Sequence, residues 1–318
     1  MGSTFRNAQH ALRNAFRSPG CKLFGLRFSR DYLRFAWHAA RRWGSTEPGT
    51  LAMLGARIDY FNQNSASFLL HEIYVNTAYR FSSDNPRPRI LDCGANIGMA
   101  AAFFKALYPQ SRIAAFEPEP TTFARLKQTV ERNRFRDVEL HNAALSEKAG
   151  TITLYKDADT QGSPRASVEA SWGGGASVQV PALRLSGFAH EPIDFLKLDI
   201  EGAEYGVLRD LVATGTIRNI REAVIEYHQI ASERSGLEPL GELLTAGGHA
   251  VRAVQQHTEL RAGAGAGVGG RSASEVESPR SKVQGLKAAG LLIPDSGACD
   301  GLSPRTLPTR HTSDGPTR

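Results

Sequence analysis

The chain has 318 residues, 41% of them apolar, with a net charge of +6 and three cysteines, enough for one large domain or two small ones around a sizeable core. No apolar stretch approaches the roughly 20 residues of a membrane span, and Cys21, Cys93 and Cys299 are too far apart for a zinc motif or a disulfide framework, so a reducing, cytoplasmic setting is expected. Residues 1–50 hold nine Lys or Arg against Asp31 and Glu47, whereas residues 51–257 balance to −3 and the tail to +2, so the body implies no nucleic-acid-binding face.

From the N-terminus, Tyr32, Phe35, Ala36, Ala39 and Trp43 recur at helical spacing, with Arg34, Arg41 and Arg42 between them. The simpler reading of such a basic amphipathic helix is an aromatic face packed on a neighbouring core. The pattern also suits peripheral contact with an anionic membrane surface. The segment is Arg-rich and acid-poor, as organelle-import peptides are, and lacks the compact apolar stretch of a secretory signal. It is set apart as a basic arm, residues 1–50.

Strands and helices alternate from about residue 66 to 257. Strand Arg89–Asp92 leads into a helix over Ile97–Tyr108, with Asn96 as its N-cap and Pro109 beyond its end. Strand Ile113–Phe116, a helix opened by Pro120 through Thr122–Asn133, and strand Val138–Leu140 follow. Thr151–Tyr155 and Val178–Leu185 form a pair joined by a Gly-rich polar loop. Strand Ile193–Ile200, helix Ala203–Thr214, strand Ala223–Tyr227, helix Leu240–Ala246 and strand Ala250–Val254 complete the run. This alternation predicts an α/β domain over residues 51–257, a mostly parallel doubly wound sheet with helices on both faces. Residues 258–318 contain no Phe, Tyr or Trp, and their glycine-rich composition buries too little apolar area to offset ordering entropy. A disordered tail is expected there, with Glu259–Arg261 as a stub of one more edge strand or with the edge left incomplete.

The most informative stretch is Arg89-Ile-Leu-Asp-Cys-Gly-Ala-Asn-Ile-Gly98, with Glu117 ending the next strand. Gly94 and Gly98 are expected to let the backbone approach a ligand where a Cβ would obstruct it. The Glu117 carboxylate suits both hydroxyls of a ribose. The glycine spacing is not the Gly-x-Gly-x-x-Gly of dinucleotide sites, whose pyrophosphate needs bare amides at a helix N-terminus. Asp92 is placed to help hold the ammonium of an amino-acid end. S-adenosylmethionine therefore fits both halves better than NAD.

Asp92, Glu117, Asn142 and Asp199 all end strands, and open parallel sheets bind ligands outside those ends, near the reversal of strand order. A cap or turn is the simpler reading of each alone, and for Asn142 it stands level with an adenine-side role. Asp199, Glu201 and Glu204 crowd a strand-to-helix junction. Asp199 suits the cofactor's amino group or the acceptor, and Glu204 suits a first-turn helix acid. Glu226-Tyr-His228 closes a later strand, where His228, with an ordinary pKa of ~6.5, suits a general base or a solvated surface position. Asp199, Glu226 and His228 are ligand types for a divalent cation, but their spacing compels none and no metal is expected.

Taken in order, Ile90 to Gly98, Phe116-Glu-Pro118, Asn142-Ala-Ala-Leu-Ser146 and Leu196-Lys-Leu-Asp-Ile-Glu-Gly-Ala-Glu204 resemble the FkbM-type methyltransferases over about residues 68–257. The Asp-Ile-Glu-Gly-Ala-Glu element combined with the Asn-Ile-Gly turn is fairly specific, whereas either alone indicates only an S-adenosylmethionine fold. The resemblance implies a Rossmann-like class I methyltransferase acting on a hydroxyl of a sugar, glycan or secondary metabolite. It implies Asp92, Gly94, Asn96 and Gly98 at the methionine part, Glu117 at the ribose, and Asn142 with Ala143 at the adenine. Asp199 and Glu201 face the reacting end, and Glu72, in His71-Glu-Ile-Tyr74, helps position the cofactor. The expected partner is a small-molecule or glycan hydroxyl acceptor; the oligomeric state is open. A nucleic-acid methyltransferase is the enzyme alternative, against which no Asn-Pro-Pro-aromatic or Asp-Pro-Pro-aromatic element follows the fourth strand. A cofactor-binding protein without turnover is the non-enzymatic one.

Overall fold

The computed structural model describes residues 2–41, 45, 47–156, 166–167, 176–228 and 255–257. Helices α1 (Gly2–Arg17), α2 (Pro19–Phe24) and α3 (Leu26–Arg41) precede a hairpin of β1 (Gly49–Met53) and β2 (Ala56–Tyr60). Helix α4 (Gln63–Leu70) runs directly into one π-helical turn, His71–Val75. Then come β3 (Arg89–Cys93), α5 (Met99–Leu107), β4 (Arg112–Phe116), α6 (Pro120–Arg132) and β5 (Val138–His141). The short strands β6 (Ala144–Leu145), β7 (Gly150–Lys156), β8 (Ala166–Ser167) and β9 (Ala176–Leu183) follow, then β10 (Phe195–Leu198), α7 (Glu204–Ala213), β11 (Ala223–His228) and β12 (Gln255–His257).

Six of these strands form one sheet in the order β12-β11-β10-β3-β4-β5, and every pairing is parallel. The chain builds outward from β3 to β5 on one side, then from β10 to β12 on the other. Strand order therefore reverses between β3 and β10, the place where such sheets bind ligands. The apolar runs of the central strands are explained by burial on two faces. Ile90, Ala115, Phe195 and Val224 pack with α5, α6 and the N-terminal helices. Their neighbours Leu91, Phe116, Leu196 and Ile225 pack with α7 on the other side. This is the Rossmann-like doubly wound architecture expected of the sequence.

Several local expectations are revised. The helix after β3 starts at Met99, not Ile97, because Gly98 caps it in the left-handed region (φ 88°). Asn96 also has positive φ, 49°, and its side chain takes the Ile97 amide at 2.7 Å, so it caps the turn and not the helix. Ala144–Leu145 leaves the main sheet and joins a second one, β6-β9-β7-β8. The simpler reading of the N-terminal helix holds: Phe28, Tyr32 and Phe35 of α3 lie in the same core as Phe103 and Phe104 of α5. Trp43, helix 240–246, strand 250–254 and the tail 258–318 lie outside the described residues. Gln255–His257 pairs alongside β11.

Candidate active site

The turn after β3 and the end of β4 form one structure. Glu117 is buried, and its carboxylate accepts the Asn96 amide at 2.9 Å and the Glu119 amide at 3.0 Å. Burial raises the Glu117 carboxyl to about 7, against the lowering effect of those two amides. Asn142 ties in the third strand end, its side-chain amide donating to the carbonyls of Glu117 (2.9 Å) and Pro118 (3.1 Å). Ala143, beside it, is buried. Glu117 and the glycine turn thus lie at one edge of the sheet, as the cofactor expectation requires.

The two glycines also make room for protein. At Gly94 (φ 80°) a Cβ would fall 1.8 Å from the backbone carbonyl oxygen of Asp199. At Gly98 it would fall 3.0 Å from Leu126 and 3.2 Å from Thr129 on α6. Gly94 lets the β3 and β10 loops press together, and Gly98 lets α5 begin against α6. Both serve close packing of protein on protein at positive φ.

Between the two loops sits Lys197, whose register on β10 is opposite Asp92. Its ammonium donates to the Gly94 carbonyl (2.8 Å), the Cys93 carbonyl (3.3 Å) and Asp199 Oδ2 (3.2 Å), with Asp92 Oδ1 at 3.9 Å. Burial alone would lower its pKa, but the Asp199 and Asp92 carboxylates outweigh that and raise it. Asp92 has no exposed surface, and neither of its oxygens has a hydrogen-bond donor among the described residues. Burial pushes it up to about 6, Lys197 working in the opposite direction. The cation that faces Asp92 among the described residues is the protein's own lysine. The buried Tyr79 hydroxyl donates to Asp199 Oδ2 at 3.4 Å.

On the β11 side a second group of charges converges on Asp199. Ligand atoms of Asp199, Glu226 and His228 lie within 4.8 Å of one another. Glu72, delivered by the π turn, hydrogen-bonds Glu226; burial raises its pKa first, and the Asp199 charge adds to that. Glu72 therefore sits in the group of Asp199, Glu226 and His228. Burial, Asp199 and Glu72 together raise Glu226 to about 9. Glu201 (φ 52°) approaches His228 Nε2 at 3.6 Å. Glu204 is more than a helix-start acid: fully buried, it accepts the amides of Ile200 and Gly202 and meets His228 Nδ1 at 3.0 Å. Burial alone would lower His228, but Glu204, Glu201 and Asp199 raise it to about 10. These carboxylates favour the imidazolium form of His228 near neutral pH, which weighs against the general-base reading.

These groups fit a cationic, ribose-bearing cofactor. Glu117 keeps lone pairs beyond its two amide bonds, next to the glycine turn. The carboxylates of Glu72, Asp199, Glu201, Glu204 and Glu226 outnumber Lys197 and His228 beside it. Residues 92–262 match the methyltransferase FkbM domain. The chain belongs to the FkbM methyltransferase family. S-adenosylmethionine is accordingly its cofactor.

Among relatives of this FkbM-family methyltransferase, it is 33% identical over 168 residues to Methyltransferase 1 of Beauveria bassiana, covering 45% of this chain and 66% of that protein. It is 29% identical over 243 residues to the 31-O-demethyl-FK506 methyltransferase FkbM of Streptomyces tacrolimicus, covering 66% of this chain and 90% of that one. It is 31% identical over 163 residues to the 2-O-methyltransferase NoeI of Sinorhizobium fredii, covering 45% and 65% respectively.

Two site residues escape the sequence reading. Lys197 leaves a signal, a charge inside the apolar strand Phe195-Leu-Lys-Leu, at a position that must face a core or a counter-ion. Tyr79 leaves none, since it reaches Asp199 from 120 residues away in sequence.

Proposed function

We propose that this methyltransferase places its methyl group on a hydroxyl oxygen of a small-molecule or glycan acceptor. The observation that carries the reading is the Glu117–Asn96 hydrogen bond of 2.9 Å, which joins the ribose-side acid and the glycine turn at one sheet edge. The acid cluster around Asp199 lies across the strand reversal from it. When bound, S-adenosylmethionine supplies a methyl on a sulfonium that leaves as a neutral thioether. Glu117 holds the ribose through its free lone pairs, and Asn142 fixes the strand end beneath it. Asp199, ion-paired with Lys197 at 3.2 Å, faces the acceptor and receives its hydroxyl proton. His228 and Glu226 keep their own protons at neutral pH and steady the charge around Asp199. Glu201 closes the cluster over His228. Alignment of acceptor and donor can lower the barrier by about 7–11 kcal/mol at most, with a general base adding roughly 10²–10⁴ in rate.

Two relatives whose names specify oxygen, the 31-O-demethyl-FK506 methyltransferase and the 2-O-methyltransferase, support oxygen as the target. A cytoplasmic site of action is part of the proposal, supported by the free thiols of Cys21 and Cys93. No helix among the described residues is long and apolar enough to cross a membrane. The test is incubation with isotope-labelled S-adenosylmethionine and a panel of glycosides and polyols, followed by mass spectrometry. Label in a base-stable ether is expected. Label on nitrogen, or tight cofactor binding with no transfer to any hydroxyl compound, would refute the oxygen assignment.

A further inference from the structure

The face of α3 turned away from the core has an unusual composition. Leu26, Arg30, Arg34, Trp37 and Arg41 recur at spacings of four, four, three and four residues. At 3.6 residues per turn they fall within an arc of about 80°. Phe28, Tyr32 and Phe35 occupy the opposite arc and are buried in the core, so apart from the Arg30–Asp31 pair the outward stripe lies outside the core. Leu26 is 78% exposed and Trp37 52%, and the Arg41 guanidinium lies over the Trp37 ring at 3.4 Å. Helix α1, packed against α3, repeats the pairing: Leu12 is 52% and Phe16 51% exposed, beside the exposed Arg13 and Arg17. The one acid in residues 2–41 is Asp31, which is buried, paired with Arg30 at 3.0 Å and bonded to the Leu54 amide. Within residues 2–41 no exposed acid opposes an anion at this face.

We infer that the outer face of α3 docks on an anionic lipid surface. The arginines supply attraction to phosphate head groups, and Leu26 and Trp37 enter the boundary between head groups and acyl chains, where indole rings are favoured. A nucleic acid would engage the arginines and can stack a base on Trp37, but it would leave Leu26 in water, so the mixed stripe favours lipid. The sequence pattern pointed to Tyr32 and Phe35 as the apolar face; the structure buries both and presents Leu26 and Trp37 instead.

The test is co-sedimentation of the full chain with vesicles of phosphatidylcholine alone and of phosphatidylcholine with phosphatidylglycerol. Binding is expected to the anionic vesicles only, and to weaken as salt rises. The double variant Leu26→Ser with Trp37→Ser should lower partitioning by about tenfold or more, and Arg34→Gln with Arg41→Gln by about as much. Thermal unfolding and S-adenosylmethionine binding should be unchanged in both, since these side chains lie outside the core and the cofactor site; this separates the lipid reading from the catalytic one. Absence of binding to anionic vesicles would overturn the inference. So would vesicle binding indifferent to the Leu26 and Trp37 changes, or retention on an RNA oligomer at least as strong as on vesicles.

Discussion

The glycine turn and the acid cluster are both built at strand ends a few ångströms apart, yet they are held in opposite ways. At the turn, side chains bond backbone: Glu117 to the amides of residues 96 and 119, Asn142 to the carbonyls of 117 and 118, Lys197 to the carbonyls of 93 and 94. In the cluster, side chains face one another: Glu72 with Glu226, His228 with Glu204 and Glu201, Asp199 with Lys197 and Tyr79. The first arrangement fixes a shape, and its residues can be exchanged little without moving the chain. The second fixes a charge state, set by how many carboxylates share how few cations.

The sharpest way to break the contrast is Gly94→Val. A Cβ there meets the Asp199 carbonyl at 1.8 Å, and a β-branched residue is strained at φ 80°. Strain of this kind costs about 1–3 kcal/mol before the clash is counted. Cofactor binding should vanish by calorimetry, and the melting temperature should fall by several degrees. A variant that loses binding with its melting temperature intact would mean that the glycine answers to the ligand and not to β10.

Lys197→Met tests the one residue common to both regions. It strands Asp92, fully buried, and Asp199 without their shared cation. Removing one partner of a buried pair costs about 3–5 kcal/mol. Urea unfolding should show a loss of that order, accompanied by weaker cofactor binding. An unchanged unfolding midpoint would remove Lys197 from its place as the link between the loops.

The charge state of the cluster is read through His228. Its folded pKa of about 10 lies above the ordinary 6.5. The stability it contributes is therefore complete below about pH 6.5 and is lost as pH rises through about 10, a loss on the order of a few kcal/mol. Ring signals in nuclear magnetic resonance should show no titration between pH 6 and about 8. Titration near neutrality would return His228 to the role of a proton acceptor.

How much of this could be seen in the sequence follows the same division. The motif around Gly94, the acid at 117 and the run from Asp199 to Glu204 are contiguous, so their location at strand ends could be read from alternation and turn residues. Their purposes were less visible. Whether a glycine makes room for a ligand or for a neighbouring loop depends on the β3–β10 register, which no local pattern encodes. The cluster takes Glu72 from a π turn, Asp199 from β10, Glu204 from α7 and the pair at 226 and 228 from β11, so its members could be named but not grouped. The pKa of His228 depends on that grouping, so the sequence could offer a base but not the carboxylates that raise its pKa.

Glu117→Ala sharpens the shape-fixing side with a smaller effect. Losing hydrogen bonds to a charged acceptor should weaken cofactor binding by about 1.5–3 kcal/mol. The native Glu117 carboxyl, raised to about 7, adds a pH signature. For an acid with a raised folded pKa the neutral form is favoured in the fold, so its contribution to stability declines between about pH 4.5 and 7. Over the same interval the ionised form becomes available to the ribose hydroxyls, so cofactor affinity should rise while the free protein weakens. Affinity that is flat through pH 7, or equal to that of the alanine variant, would take the ribose away from Glu117.

Asn142→Ala should have the smallest effect and decides between two roles left level by the sequence. Its amide nitrogen is already committed to the carbonyls at 117 and 118. If it acts by holding that strand end, its loss should weaken S-adenosylmethionine by about 1 kcal/mol, the worth of an ordinary hydrogen bond. An analogue carrying hypoxanthine in place of adenine should then weaken by the same factor, because the held backbone serves the ribose under either base. That equality is the expected result. A loss confined to the adenine form would mean that the side chain reads the base, and the positioning role drawn from its two carbonyl bonds would fail.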